Sequence, residues 1–363
     1  MQLQNFKVEQ WMTQHEMEAA YNLTDTCIYP YTYDELVEMD HSHLLYNLKL
    51  DYGQITGAAK LKDLILKLYI TGTQNNVTVT QGCSQANEMV MNELLDKGDH
   101  VITFGPGYES FINIPESIGC DVSILPLYEK ESWQPHFKDV EAACRSNTKM
   151  IIINNPNNPT GTLFSRDFLN QLISFADERN LWIISDEVYR LPENPSISDL
   201  YEKGISTSSL SKMYALSGLR LGWIKGPQNV IERINVRRDY SIISTGPLID
   251  ALGCIALQNS SAILDRTRNV IAVNKGIVRT WLLKEKRTDV ILPSAGTVCF
   301  LQYKIPMESC DLSEALLSRY GVFFVPGWCF DYEYHLRLGL TQEPEIMQKG
   351  LELFSKFMDE QSS

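Results

Sequence analysis

Four short segments carry the side chains best suited to chemistry. NNPNNPTG at 154–161 follows the apolar run MIII and is a rigid turn of prolines and glycine that sets the amide of Asn158 at the edge of a sheet. The next apolar run, LWIIS, ends in Asp186-Glu187-Val188-Tyr189, and a carboxylate at the end of a buried strand needs a cation or several donors. In SSLSKMYALSGLRLGW, Lys212 stands beside the hydroxyls of Ser209 and Ser211, with Arg220 eight residues further on. A lysine amine is a nucleophile only after losing its proton; about 0.1% of a free lysine is neutral at pH 7.4, a handicap of roughly 4 kcal/mol. Desolvation and the charge of Arg220 are expected to reduce it. Finally, His335-Leu336-Arg337-Leu338-Gly339 puts an arginine inside a strand-like run, where burial calls for a carboxylate, from the protein or from a ligand.

Weaker signals surround these. GCSQANEMV joins a glycine turn to Ser84, Gln85 and Ala86 at the start of a helical pattern, the arrangement of an anion site, although such turns are common in α/β folds. Tyr108 in GPGYES, taken alone, reads as a core or turn aromatic. The six histidines make no HExxH or similar cluster, so no metal is expected. Eight cysteines without a CxxC read as reduced thiols of a cytoplasmic chain.

Alternating elements must position these side chains. AAKLKDLILKLYI, SQANEMVMNELLD, YESFINIPESIG, FKDVEAACRS and RDFLNQLISFADERN have helical spacing. VTVT, VITF, DVSILPL, KMIIIN and LWIIS between them are short and strand-like. Successive β-α-β units predict a mostly parallel sheet covered by helices, with ligands at the carboxyl ends of its strands. Beyond residue 240 long helices precede short strands, which predicts a smaller α+β domain. The expected division is a large domain at 47–240 and a small one from 1–46 and 241–363. The 363 residues, 44% of them apolar, suit a two-domain globular protein. A formal net charge of −13 disfavours a nucleic-acid partner. No run of about 18 apolar residues predicts a membrane span.

NPNNPTG, DEVY, SLSK and GLRLGW stand in an order and at spacings that resemble the class I and II aminotransferases, pyridoxal 5′-phosphate enzymes of the fold-type-I, aspartate aminotransferase-like superfamily. The resemblance covers nearly the whole chain. It implies that Lys212 forms the Schiff base with the cofactor and later moves the proton at the substrate's α-carbon. Asp186 then resembles the aspartate that keeps the pyridine nitrogen protonated. Asn158 and Tyr189 resemble donors to the ring's phenolic oxygen, with Asn158 also beside the substrate, and Tyr108 resembles the aromatic that stacks on the ring. By the same resemblance Ser84 and Gln85 give backbone amides to the phosphate, Ser209 a hydroxyl and Arg220 the main positive charge, and Ser211 joins the cofactor-binding set. Tyr52 resembles the tyrosine that reaches the phosphate of a neighbouring subunit, which implies a homodimer with shared sites. Arg337 resembles the arginine that grips the substrate's α-carboxylate.

The activity implied is exchange of an amino group between an L-amino acid and a 2-oxo acid. A C–S β-lyase and a capreomycidine synthase-like cyclase share the same equipment, and a non-catalytic sensor is the alternative of another class. A nicotinamide-dependent dehydrogenase is disfavoured by the lack of a GxGxxG turn. The chain departs from the family in AAYNLTDTCIYPYTYDEL, which lacks the usual glycine-bearing substrate loop and leaves the contacts of residues 22–32 open. Cys83 and Asn87 receive no role.

Overall fold

The computed structural model describes residues 3–361. Seven strands form the central sheet: β1 Val77–Thr80, β2 His100–Gly105, β3 Asp121–Pro126, β4 Thr148–Asn154, β5 Trp182–Asp186, β6 Gly204–Ser209 and β7 Gly222–Lys225. Their order is β1-β7-β6-β5-β4-β2-β3, parallel from β6 to β3, with β7 antiparallel to both its neighbours. Runs such as Ile151, Ile152 and Ile153 of β4 are buried on both faces because helices cover both, among them Gly82–Leu94 and Arg166–Glu178. The mostly parallel α/β architecture expected from the alternation is therefore present.

A second sheet is made of β8 Thr288–Val290, β9 Val298–Tyr303, β10 Val325–Pro326 and β11 His335–Gly339, in the antiparallel order β10-β11-β9-β8. The helix Ser260–Lys284 packs against the closing helix Pro344–Gln361 beside it. The amino-terminal segment joins this unit: Tyr21–Asn22 pairs in parallel with Val322–Phe323, and Gly339 N–H donates to Leu23 O at 2.8 Å. A Cβ on Gly339 would stand 2.0 Å from Asp25 O, so only glycine admits the segment this close. Although the pattern changes at residue 240, the helix Pro247–Gln258 packs against Ala59–Leu66 on the side of the larger sheet. Among the described residues no single helix is long and apolar enough to cross a membrane.

Candidate active site

The carboxyl ends of β4, β5 and β6 meet the amino-terminal segment around a cavity of about 710 Å³. β4 and β5 are in register with Asn154 opposite Asp186, so the NNPNNPTG turn and the DEVY turn leave the sheet side by side. Asn154 locks them together. Its Nδ2 donates to Asp186 O at 3.1 Å and its Oδ1 accepts from Asn158 N–H at 2.7 Å, which holds Asn158 on the cavity wall. Asn158 Oδ1 is buried there without a partner.

Asp186 is 5% exposed and points into the cavity. Its Oδ1 accepts from Val188 N–H at 3.0 Å and its Oδ2 from Asn87 Nδ2 at 2.7 Å. Thr207 on β6 completes the chain by donating its hydroxyl to Asn87 Oδ1 at 2.6 Å. Burial still pushes the carboxyl pKa up, against Val188, Asn87, Cys83 and Lys212, which lower it. An ionised Asp186 is thus short of positive charge.

Lys212 sits in the turn after β6, and its Nζ donates to Thr26 Oγ1 at 2.6 Å and approaches Cys27 Sγ at 3.3 Å. From the sequence, desolvation and Arg220 make this amine easier to deprotonate. The structure corrects it: burial does pull the pKa down, but Cys27, Tyr189 and Asp25 outweigh burial and the net direction is upward. Tyr189 is 3% exposed on the same wall; burial raises its pKa against the opposing charges of Lys212 and Arg337, so at neutral pH its hydroxyl is a donor.

One end of the cavity suits an anion. The helix Gly82–Leu94 starts there, and helix geometry leaves the first N–H groups, including that of Ser84, without intrahelical partners. Arg220 lines this end in a left-handed conformation, φ 50°, with Nη1 donating to Ser217 O at 3.2 Å. A Cβ on Gly82 would lie 2.6 Å from Arg220 Nη2, so the glycine makes room for the guanidinium. Ser209 and Ser211 complete the wall, with Ser211 N–H donating to Ser209 Oγ at 3.2 Å.

Arg337 reaches the cavity from β11 and is 4% exposed. Its Nε donates to Thr24 O and Oγ1, both at 3.2 Å, while the only contact of its terminal nitrogens given by the described residues is Met12 Sδ, 3.9 Å from Nη2. Two N–H edges are therefore left for an outside carboxylate. Tyr108 also lines the cavity, packs on Phe6 at 4.7 Å between ring centres and donates its hydroxyl to Glu9 Oε1 at 2.6 Å.

The Gln85 side chain turns back to accept from Gln81 N–H at 2.8 Å, so what Gln85 can offer an anion is its backbone N–H, one of the first four of the helix. Tyr52 is 68% exposed and outside this chain's own cavity. Sequence reasoning missed Asn87, which orients Asp186, and Thr24, Asp25, Thr26 and Cys27, which meet Arg337 and Lys212. An Asn one helical turn after Cys83 was a detectable signal, since i and i+4 share a face. The 24–27 run offered none.

Residues 38–353 match the sequence profile of the aminotransferase class I and II family. The chain belongs to that family. This aminotransferase is similar over its whole length to the crystal structure of a PLP-dependent aminotransferase from Streptococcus suis, with TM-score 0.95, 35% identity and 99% of each chain covered. It is 26% identical to capreomycidine synthase of Streptomyces vinaceus across 96% of this chain and 92% of that protein. It is also 27% identical to an aspartate aminotransferase of Thermotoga maritima across 87% and 82%. The enzyme is accordingly a pyridoxal phosphate-dependent transaminase of the aspartate aminotransferase-like fold. Its residues fit the cofactor: a carboxylate short of positive charge, an unpartnered Asn158 oxygen, an amine on the facing wall, and a helix start with an arginine admitted by Gly82.

Proposed function

We propose that Lys212 is the residue through which this aminotransferase exchanges an amino group between an L-amino acid and a 2-oxo acid. One observation carries the assignment: Lys212, Asp186 and Arg337 come from three different elements of the chain and line a single cavity. When bound, pyridoxal phosphate supplies a carbonyl for the substrate amine and an electron sink for the electrons left on the α-carbon. Asp186, held by Asn87 and Val188, keeps a proton on the pyridine nitrogen. With the cofactor bound, the Lys212 amine would take the proton from the substrate's α-carbon and return it on the cofactor side of the amino nitrogen. Thr26 and Cys27 give that amine a resting position. Asn158 and Tyr189 donate to the phenolic oxygen, Tyr108 covers the ring, and the helix start with Ser84, Ser209, Ser211 and Arg220 holds the phosphate. Arg337 takes the substrate carboxylate with both free edges, which fixes the α-carbon for proton transfer.

The assembly in this reading is a cytoplasmic homodimer whose exposed Tyr52 reaches across to the phosphate of the other subunit. Mixing Tyr52→Phe with Lys212→Ala then restores part of the activity each lacks alone, since one hybrid site is intact; no recovery despite subunit exchange rules out the shared site. The activity itself is tested by the visible spectrum of the purified holoenzyme as single amino acids are added without oxo acid. Stoichiometric conversion of the cofactor band to the aminated form is the expected result. Release of ammonia and pyruvate, or of a cyclised product, would replace transamination with the lyase or cyclase reading.

A further inference from the structure

Tyr52 is exposed, yet the segment that carries it rests on three buried charged side chains, Lys62, Arg238 and Asp250, which have no part in the amino transfer described above. Asp250 ties two stretches of chain together: its Oδ2 accepts from Ala58 N–H at 2.7 Å and its Oδ1 from the Thr245 hydroxyl at 2.9 Å. Lys62 Nζ donates to Thr56 Oγ1 at 2.7 Å. The Ser244 hydroxyl donates to Tyr52 O at 2.5 Å, and a Cβ on Gly53 would stand 2.9 Å from Pro247 Cγ. Residues 52–58 and 244–250 therefore run side by side, joined at both ends.

Arg238 fixes this pair of segments to the large sheet. It is wholly buried, its Nε donates to Ile243 O at 2.8 Å and its Nη1 donates to Val79 O on β1. Val79 N–H in turn donates to Thr56 O at 3.1 Å. One guanidinium thus holds the residue before Ser244 on one side and, through Val79, the Tyr52 segment on the other. Burial pulls its pKa down to about 10 against Asp250 and Asp239, and burial and Arg238 together lower that of Lys62, so the charges lie in one another's fields. Buried charge is weak evidence for stability, because apolar side chains of similar volume often replace it without loss. What an apolar side chain cannot do is hold the carbonyls of two separate segments in a fixed relation.

We infer that Arg238 is a positioning residue that acts in trans: it sets Tyr52 for the cofactor phosphate of the neighbouring subunit. A hydroxyl that must meet a phosphate oxygen across an interface loses affinity if its backbone is ordered only on contact, and Arg238 orders that backbone during folding. This role rests on the shared-site reading above.

β1 also runs into Gly82 and the helix start of this chain's own anion site, so the test separates the two sites. Cofactor-free assemblies are titrated with pyridoxal phosphate and, separately, with pyridoxal, following the visible band that forms only at sites carrying Lys212. In Arg238→Met the phosphate form should bind about tenfold more weakly, the size of one hydrogen bond to a charged group, while pyridoxal changes by less than about twofold. Ser244→Ala, which removes the bond to Tyr52 and leaves the buried charges in place, should shift the same titration in the same direction. Hybrids are then isolated from differently tagged Arg238→Met and Lys212→Ala chains. Their band comes from the Arg238→Met chain, whose phosphate faces the intact Tyr52 segment of the other chain. Wild-type affinity in this hybrid is the expected result. Unchanged affinity in both single variants, pyridoxal weakened as much as its phosphate, or a hybrid that titrates like Arg238→Met alone overturns the inference. If Arg238→Met does not assemble, the hybrid of Ser244→Ala with Lys212→Ala decides on the same terms. A hybrid of Tyr52→Phe with Lys212→Ala is the control: the weakened affinity of Tyr52→Phe persisting there refutes the shared site itself. Wild-type affinity in that control beside weakened affinity in the Arg238→Met hybrid refutes the role of Arg238 alone.

Discussion

Asp186→Asn separates the cost of burying this carboxylate from its use. The side chain is 5% exposed and accepts two hydrogen bonds, at 2.7 and 3.0 Å, yet burial still raises its pKa. An acid whose folded pKa lies above its unfolded value, about 4, is bound to a proton more tightly in the folded state. The apoenzyme therefore loses stability as pH rises from about 4 through the raised value, and at pH 7 the ionised group opposes folding. Asparagine removes that charge but keeps only one acceptor, so it leaves one donor, from Val188 or Asn87, unmatched at a cost of about 1–3 kcal/mol. The two effects oppose each other, and apoenzyme stability should change by no more than about 2 kcal/mol. In the holoenzyme the same substitution leaves the ring cation without its buried partner, a loss of about 3–5 kcal/mol, or roughly 10²- to 10⁴-fold in turnover. The assay pairs urea unfolding of the apoenzyme with the single-turnover rate of cofactor conversion. Turnover within tenfold of wild type, or an apoenzyme destabilised by more than about 4 kcal/mol, would refute the assignment.

Asn87→Ala removes the donor to Asp186 Oδ2 and the acceptor of the Thr207 hydroxyl; turnover should fall about 10- to 100-fold, and the acid limb of the pH–rate profile should move upward. A fall without movement of that limb would mark Asn87 as structural only. Lys212, held protonated by Cys27, Tyr189 and Asp25 in spite of burial, favours folding fully below its unfolded value near about 10.4, and that contribution is lost as pH rises through the higher folded value. Cofactor uptake by the apoenzyme should therefore accelerate about tenfold per pH unit between about pH 7 and 9, and a flat profile counts against the upward shift. Arg190→Met should cost about 3–5 kcal/mol by urea unfolding, because Arg190 Nε lies 2.8 Å from Glu187 Oε2 with both side chains buried, in ion-pair contact but not aligned as a hydrogen bond. A cost below about 1 kcal/mol would show that Glu187 finds enough compensation in the Ile197 N–H and the Ser206 hydroxyl.

Much of the fold was legible because its signals are local. Short continuous apolar runs define β2, β4 and β5 and period-3.6 patterns define the helices between them, and both do so whatever lies on the other side of the sheet. The motif residues Asn158, Asp186 and Lys212 were readable for the same reason: each stands at the carboxyl end of a strand or within four residues of it, and parallel strands deliver those ends to one edge. Arg337 was readable as a cation inside an apolar run. What it would touch was not.

The sequence by itself therefore determined the strand and helix order and singled out Lys212, Asp186 and Arg337, which the fold brings to one cavity. Only the tertiary structure decided what surrounds them. Thr26 and Cys27 reach Lys212 across 186 and 185 positions of chain because Gly339 lets the Asp25 backbone lie against β11. Asn87 reaches Asp186 across 99 positions because a helix packs on the sheet with that face inward. The same packing brings Glu9 and Glu16 to the cavity and turns the expected effect on the Lys212 amine around. Such contacts depend on which surfaces meet, and periodicity along the chain carries no record of a neighbour that distant.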